Sequence, residues 1–542
     1  MFFICLVHDN SLFLQQKLVI TNQNKLVIPR QQKLVIIKIM ATIAEKMAES
    51  LEVLHQLQKD SERVVLCGTR QMSRTHLTRL LNAGYLQEVM KGWYISSKPG
   101  TEGDTTVWYT SYWYFIANYA TERFGNLWSL TAEQSLDIYS GKTTVPVQSI
   151  IRSPDGKNNL TKLMYGTSLF DLKAELPSSI HKHELYGLNM YTLEEALVYA
   201  SPSYFQSSEI TARICLSMVK DISVIVRILS DKGASSRAGR LAGAFRNMGN
   251  EKAADAILQF MKKIGYTVTE EDPFNAPLKA TLLPNTSPYA NRLRLMWENM
   301  RETVVGIYPE VPEERKPVEE YLRLVDEKYL EDAYHSLSIE GYRISEELID
   351  KVRSGDWKPD KEDKEHKNAL VARGYYQAFQ AVKQTVTDII NGSNAGTAVE
   401  KAHGDWYFEM WSPFVEANLL KPSDLAGYRT GQVYIRGSLH TPLPPSAIND
   451  AMETLFELLK NEPDAGVRAV LGHFFFVYIH PYMDGNGRMG RFILNAMLAS
   501  GGYNWTVIPT ERRKEYMSAL EKASVQEDIS DFTRIIAELA NA

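Results

Sequence analysis

Between His480 and Arg491 the chain gathers an imidazole, a carboxylate (Asp484), a glycine-bracketed turn (Gly485-Asn486-Gly487) and two guanidinium groups (Arg488, Arg491). An imidazole of ordinary pKa, ~6.5, suits the removal of a hydroxyl proton near neutral pH. Asp484 offers a hard oxygen ligand for Mg²⁺ bridging phosphate oxygens. Successive backbone amides at Gly485, Asn486 and Gly487 can form a concave nest for a phosphate, and the Asn486 amide can donate to developing negative charge. Arg488 and Arg491 share a helix face and can clamp the β- and γ-phosphates bidentately. Such a set grips a triphosphate and activates a nucleophile beside it, with pyrophosphate as the leaving group.

Two helices must hold this loop. Asp464 to Ile479 carries Val467, Val470, Leu471, Phe474 and Tyr478 at helical spacing, with Phe475, Phe476 and Val477 on its other faces, so it reads as a helix buried on most sides. Pro481 cannot continue it, and Gly485 and Gly487 supply the turn. A second helix over Arg488 to Ser500, stopped at Gly501-Gly502, puts the loop at a helix N-terminus, where free amides and the dipole attract anions. An isolated Asp-Gly or Asn-Gly would be only a turn. A full run in fixed register behind a long apolar helix is not.

The run His480-Pro481-Tyr482-Met483-Asp484-Gly485-Asn486-Gly487-Arg488-Met489-Gly490-Arg491 resembles the signature of the Fic family, with Tyr482 where the pattern has Phe. The resemblance implies a C-terminal all-α Fic fold and transfer of AMP from ATP to a Ser, Thr or Tyr hydroxyl of a target protein. It implies His480 as base, Asp484 as Mg²⁺ ligand, and Gly485, Asn486, Gly487, Arg488 and Arg491 around ATP. Fic relatives that phosphorylate their targets carry Lys where this chain has Gly487, which speaks against kinase chemistry. Removal of AMP, or transfer of another nucleotide or phosphocholine, stays open. Alternating residues Val433 to His440 around Gly437, ahead of Pro442-Leu443-Pro444-Pro445, suggest a β-hairpin. In Fic proteins that hairpin is the flap, here Tyr434, Ile435, Arg436, Gly437 and Ser438, which holds the target by strand addition.

Upstream, Pro317 to Leu337 reads as a helix running into Ser336-Leu337-Ser338-Ile339-Glu340-Gly341. The residues resemble the [ST]-x-x-x-E-[GN] pattern of Fic proteins that carry their own brake. The resemblance implies that Glu340 pairs with Arg491 and excludes the γ-phosphate, with Ser336 and Gly341 completing the inhibitory motif. A capped helix end beside Gly341 is the plain alternative.

The N-terminal half has another character. Arg70 to Asn82 suggests helix-turn-helix, Ser73 capping a helix that leaves Arg74, Thr75 and Arg79 outward. Leu86 to Val89 and Trp93 to Ile95 suggest a hairpin turning at Lys91-Gly92, completing a winged helix that binds DNA or a protein. Residues 101–272 mix strands and helices, and stretches such as Ser129 to Ser140, Val145 to Arg152 and Leu185 to Ala200 resemble the AbiEi type of antitoxin-like protein. That fusion makes a DNA-binding regulator whose Fic half senses nucleotide the competing functional reading. Gly233 to Gly239 lacks the Gly-Lys-Ser/Thr ending of a phosphate loop and reads as a helix start.

The expected organisation is multidomain: a leader over 1–39, a winged helix over 40–100, an α/β region over 101–272, a linker over 273–316 marked by Pro273, Pro277, Pro284 and Pro288, and the Fic domain over 317–542. A charged loop is expected over 356–367. Three octad copies, Lys17 to Ile20, Lys25 to Ile28 and Lys33 to Ile36, are too few for a solenoid, and the reading here is that translation starts at Met40. Sixty basic against 65 acidic residues, a formal net charge of −5, confine any nucleic-acid surface to a local patch. Three separated cysteines (Cys5, Cys67, Cys215) argue against a disulfide framework or a zinc site. Without an apolar run of ~20 residues, the chain is expected to be cytoplasmic, without a membrane span, and able to form a homodimer.

Overall fold

The computed structural model describes residues 30–58, 65–100, 105–231, 233–278, 282, 286–355 and 366–541. The first two octads and most of the charged loop lie outside the described residues. The third octad falls within the backbone of helix α1 (Arg30–Gln58). The chain divides into two units, Met1–Gly103 and Asp104–Ala542.

In the first unit, α1 precedes β1 (Val65–Cys67), a 3-10 turn (Gly68–Arg70), α2 (Arg74–Asn82), β2 (Leu86–Met90) and β3 (Trp93–Ser96). The sheet order is β1-β3-β2, all antiparallel. Ser73 caps α2, its Oγ accepting from His76 N at 3.3 Å, and Gly92 makes the β2–β3 turn at φ 83°. Leu54, Leu66, Met72, Leu77, Leu80 and Leu86 form the small core.

The second unit opens with α3 (Thr106–Phe124), whose aromatic run is buried. Its polar tips reach the following sheet: Trp108 Nε1 donates to Thr167 Oγ1 at 2.9 Å, and Tyr112 OH to Ser149 Oγ at 2.9 Å. That sheet comprises β4 (Ser129–Leu130), β5 (Gln148–Ser153), β6 (Asn159–Lys162) and β7 (Ser168–Lys173) in the order β4-β5-β7-β6, with β5 and β7 parallel. A helix α4 (Ala132–Tyr139) follows β4, and β8 (Ile180–Lys182) pairs with β9 (Asn189–Tyr191). Helices α5 (Leu193–Tyr199), α6 (Pro202–Ser207), α7 (Glu209–Ser217), α8 (Ile222–Asp231), α9 (Ser235–Asn247) and α10 (Glu251–Lys263) share a core around Leu197, Phe205, Leu229 and Phe245.

The rest is a helical bundle: α11 (Pro288–Ile307), α12 (Val318–Ile339), α13 (Glu346–Ser354), α14 (His366–Ile390), α15 (Ala395–Glu416), α16 (Ile448–Asn461), α17 (Ala465–Ile479), α18 (Asn486–Gly501), α19 (Arg513–Gln526) and α20 (Ser530–Ala540). The expected linker over 273–316 is corrected here. Twenty of its residues are α11, started by Ser287 as cap with Pro288 in the first turn. Proline there removes an N–H that has no helical partner anyway. Leu293, Met296, Trp297 and Val304 enter the bundle core. Buried Arg292 bonds Ser140 and Thr211 on one side and Glu527 at 2.7 Å on the other, fastening the α/β region to the bundle.

Candidate active site

Helix α17 is capped by Asp464, whose Oδ1 accepts from Val467 N at 2.9 Å. His480 ends it in the left-handed region, φ 56° and ψ 60°, a conformation that costs a non-glycine residue about 1 kcal/mol. The strain lifts the imidazole out of the helical path. Nδ1 lies 3.0 Å from Val477 O; a carbonyl only accepts, so the proton sits on Nδ1 and the Nε2 lone pair is open. Burial pushes the His480 pKa down to about 4; the Val477 carbonyl opposes the shift, and Arg429 adds to it. Near neutrality His480 is therefore an uncharged proton acceptor.

The next residues form a short, locked loop. Tyr482 N donates to Asn486 Oδ1 at 2.9 Å, and Asn486 Nδ2 donates to Tyr482 O at 2.8 Å. Asn486 thus closes the loop on itself rather than aiming at developing charge as expected, because two backbone groups inside a buried turn need partners. The Tyr482 ring stacks on Tyr407 at 3.7 Å and 6°, so tyrosine fills the position that the pattern gives to phenylalanine. Gly485 takes φ 85° ahead of α18. Its N–H is satisfied by Asp484 Oδ1 at 2.6 Å, so the nest expected from three amides reduces to the N–H groups that open α18 at Asn486 and Gly487. The Asp484 side chain is 65 % exposed.

The two arginines differ. Arg491 Nε donates to Ser336 Oγ at 2.7 Å, and its Nη2 donates to Ser336 O at 3.0 Å and Glu340 Oε1 at 2.8 Å. Ser336 and Glu340 are one turn apart at the end of α12, and Gly341 leaves the helix at φ 87°. Burial disfavours ionisation of Glu340, but Arg491 and Arg488 outweigh it and hold its carboxyl below the ordinary value. A Cβ on Gly487 would collide with Glu340 Oε1, so a side chain there cannot coexist with the docked glutamate. Arg488 is 1 % exposed and lies between Trp411 and Tyr342, 4.9 and 5.4 Å from their ring centres. Its Nε and Nη2 have no hydrogen-bond partner among the described residues.

The expected flap is no hairpin. Among the described residues, Tyr434, Ile435, Arg436, Gly437 and Ser438 contain no strand. Gly437 turns at φ 82°, and Ser438 N donates back to Ile435 O at 3.1 Å. Beyond the turn, Leu439 N donates to Glu521 Oε1 at 2.8 Å, Ser438 Oγ bonds the same carboxylate, and Val145 N donates to Leu439 O at 2.9 Å. Backbone groups that a hairpin would pair internally are thus taken by α19 and by the α/β region, with a single bridge between Thr144 and His440.

Arg429 is a structural brace the sequence reading did not single out. It donates from Nε to His480 O at 2.7 Å, from Nη1 to Gly431 O at 2.8 Å and from Nη2 to Leu443 O at 2.6 Å. Its own N–H reaches Pro481 O at 2.9 Å. Nothing in a lone Tyr-Arg pair announces that role; only the fold brings four acceptors together.

Of the proposed DNA contacts, Arg74 and Thr75 are exposed on α2. Arg79 is half-buried and turned back on the unit: its Nη1 donates to Lys46 O and Ser50 Oγ, both at 2.6 Å. Helix α1 supplies those acceptors, which the short motif could not reveal. Among the described residues no helix is long and apolar enough to cross a membrane.

The Fic/DOC family matches residues 415–498, a span that includes the loop just described; the chain contains a Fic domain. It is similar to Protein adenylyltransferase Fic of Drosophila willistoni, 28 % identical over 226 residues, which is 40 % of this chain and 41 % of that protein. Protein adenylyltransferase fic-1 of Caenorhabditis elegans is 27 % identical over 225 residues, 41 % of each chain. The chain thus spans about two fifths of the length of these curated relatives. Among solved structures, Fic-1 (residues 134–508) from C. elegans is 18 % identical, with 63 % of this chain and 95 % of that one covered and a TM-score of 0.34.

Proposed function

We propose that the chain transfers AMP from ATP to a hydroxyl side chain of a target protein and that Glu340 restrains the reaction. The observation that carries this reading is His480, its Nδ1 turned 3.0 Å from Val477 O so that Nε2 is left open, on the same loop as Arg488, a buried guanidinium with unmet donors. In the reaction, Nε2 of His480 takes the proton of the target hydroxyl while its oxygen forms a bond to the α-phosphorus. The bond from that phosphorus to the bridging oxygen breaks, and pyrophosphate leaves. The amides of Asn486 and Gly487 face the charge on the transferred phosphate, and Arg488 and Arg491 hold the departing phosphates. Among the described residues no cluster of three or more metal-binding side chains exists; the exposed, single Asp484 carboxylate fits Mg²⁺, which takes most of its ligands from phosphate and water. When bound there, the ion neutralises charge on the leaving group.

Glu340 occupies Arg491, so the γ-phosphate must displace it. The test is incubation with ATP labelled at the α-phosphate. Protein label is expected from Glu340→Gly, little from wild type and none from His480→Ala. Label arriving only from the γ-position would replace this reading with phosphorylation.

A second reading concerns the first unit. The β1-β3-β2 sheet beside a capped α2 supports a winged helix, with Arg74 and Thr75 left for DNA phosphates. A shift of promoter DNA that weakens with salt and is lost on Arg74→Ala tests it.

A further inference from the structure

Arg429 stands 51 residues before His480 in the chain, yet its guanidinium meets the end of α17. It is 5 % exposed, and burial pushes its pKa down to about 10 with no carboxylate among the described residues to offset it. Its guanidinium bonds run to carbonyl oxygens, those of His480, Gly431 and Leu443. A cation suits that place, because the last carbonyls of a helix gather negative partial charge. His480 is held at three points. Its N–H donates to Phe476 O at 3.0 Å and its Nδ1 lies 3.0 Å from Val477 O, both inside α17. Only the third, Arg429 Nε on His480 O at 2.7 Å, comes from another part of the chain. The direction of that carbonyl is what ψ sets, and ψ 60° belongs to a region that a non-glycine residue leaves readily for the helical one. The Arg429 N–H on Pro481 O at 2.9 Å fixes the next peptide as well. On the other side, Gly431 and Leu443 lie at the two ends of the segment that carries Tyr434 to Ser438, and Gln432 Nε2 donates to Pro442 O at 2.8 Å across the same neck. One guanidinium therefore joins that neck to the loop that bears the imidazole.

We propose that Arg429 is a positioning residue for the transfer, holding the His480 imidazole in register with the segment from Gly431 to Leu443. Each of its three guanidinium nitrogens already donates to a carbonyl, so it acts through the His480 backbone and not on the nucleotide. This rests on the AMP-transfer reading and adds to it a group that sets the rate and not the affinity for ATP. Misplacing a reacting group by about 1 Å can cost about 10²-fold in rate.

The experiment takes Glu340→Gly as the parent and measures two quantities. One is the rate of self-labelling from ATP labelled at the α-phosphate, at saturating ATP with Mg²⁺; the other is ATP affinity by calorimetry. Arg429→Lys in that parent keeps the charge but has no planar fork to reach three carbonyls. Arg429→Gln removes the buried charge and decides the matter where the lysine variant does not fold. The expected result in either is a rate lower by about 10- to 100-fold, with ATP affinity within about twofold of the parent. Retained ATP binding shows that the phosphate cradle is folded, which places the loss at the base. An unchanged rate overturns the proposal. Loss of ATP binding in both variants also overturns it, because Arg429 would then support the fold of the cradle. A parent that takes no label from the α-phosphate overturns the AMP-transfer reading and this proposal with it, whereas the first two outcomes leave that reading standing.

Discussion

The two sides of the signature loop share a helix and a residue type yet differ in how far their donors are met. Toward α12, Arg491 is engaged by Ser336 and Glu340 through Nε and Nη2, with only Nη1 unmet. Toward α15, Arg488 is as deeply buried but keeps Nε and Nη2 unmet between two aromatic rings. A buried guanidinium is tolerated when its donors are satisfied and is expensive when they are not. The contrast teaches that one guanidinium of the loop is met by the protein's own carboxylate while the other is held between aromatic rings with fewer of its donors met.

That contrast can be broken in graded ways. The largest effect is expected from His480→Ala. On the proposed reading, in which both arginines seat phosphate and the imidazole does not, it should leave ATP binding intact and lower AMP transfer by about 10²–10⁴-fold, the usual share of a general base. Loss of nucleotide binding in that variant would mean the imidazole is structural. Next, Glu340→Gly makes Arg491 resemble Arg488. Removing a charge-assisted pair should raise self-labelling and ATP affinity roughly 10- to 100-fold, and unchanged labelling would show that Glu340 is no brake. Ser336→Ala removes only one bond to Arg491 and should release the brake several-fold at most, about 1 kcal/mol; labelling equal to that of Glu340→Gly would shift the brake from Glu340 to Ser336.

The smallest effect is expected from pH. Because the His480 pKa is lowered to about 4, the base is already unprotonated at pH 6, and Glu340→Gly should transfer AMP at a nearly flat rate from pH 6 to 8. An inflection near 6.5 would show an ordinary, solvated imidazole. Stability follows the same sign. Burial also lowers His440 to about 4 and His473 to about 3. The unfolded chain binds these protons first, so the stability they contribute is present above pH ~6.5 and is lost as pH falls toward 4. Glu340, held low by Arg491, stays charged across the whole neutral range.

Much of the site was legible because it is local. Helix α17, its end at His480, the turn at Gly485 and the start of α18 follow from apolar spacing, a proline and glycines within one stretch. The helix ending at Glu340 and the hairpin from Leu86 to Ser96 were readable for the same reason. What failed depended on distant acceptors. The segment 433–440 alternates like a strand, but Glu521 and Val145 take its backbone groups. Arg79 looks outward on a helical wheel, but Lys46 and Ser50 claim it. Pro288 suggested a linker, yet it starts a helix whose other face is core.

By itself, the order of residues determined which groups can do chemistry here: a base, a carboxylate and two guanidiniums in one loop, and a carboxylate with a serine one turn earlier on a remote helix. Only the tertiary structure decided their condition. It turned Nδ1 of His480 toward Val477 O so that Nε2 stays open, set Glu340 against Arg491 rather than Arg488, and brought Trp411 beside Arg488. Protonation and hydrogen-bond pairing are set by burial and by neighbours from other helices, and neither is encoded in the spacing of a short motif.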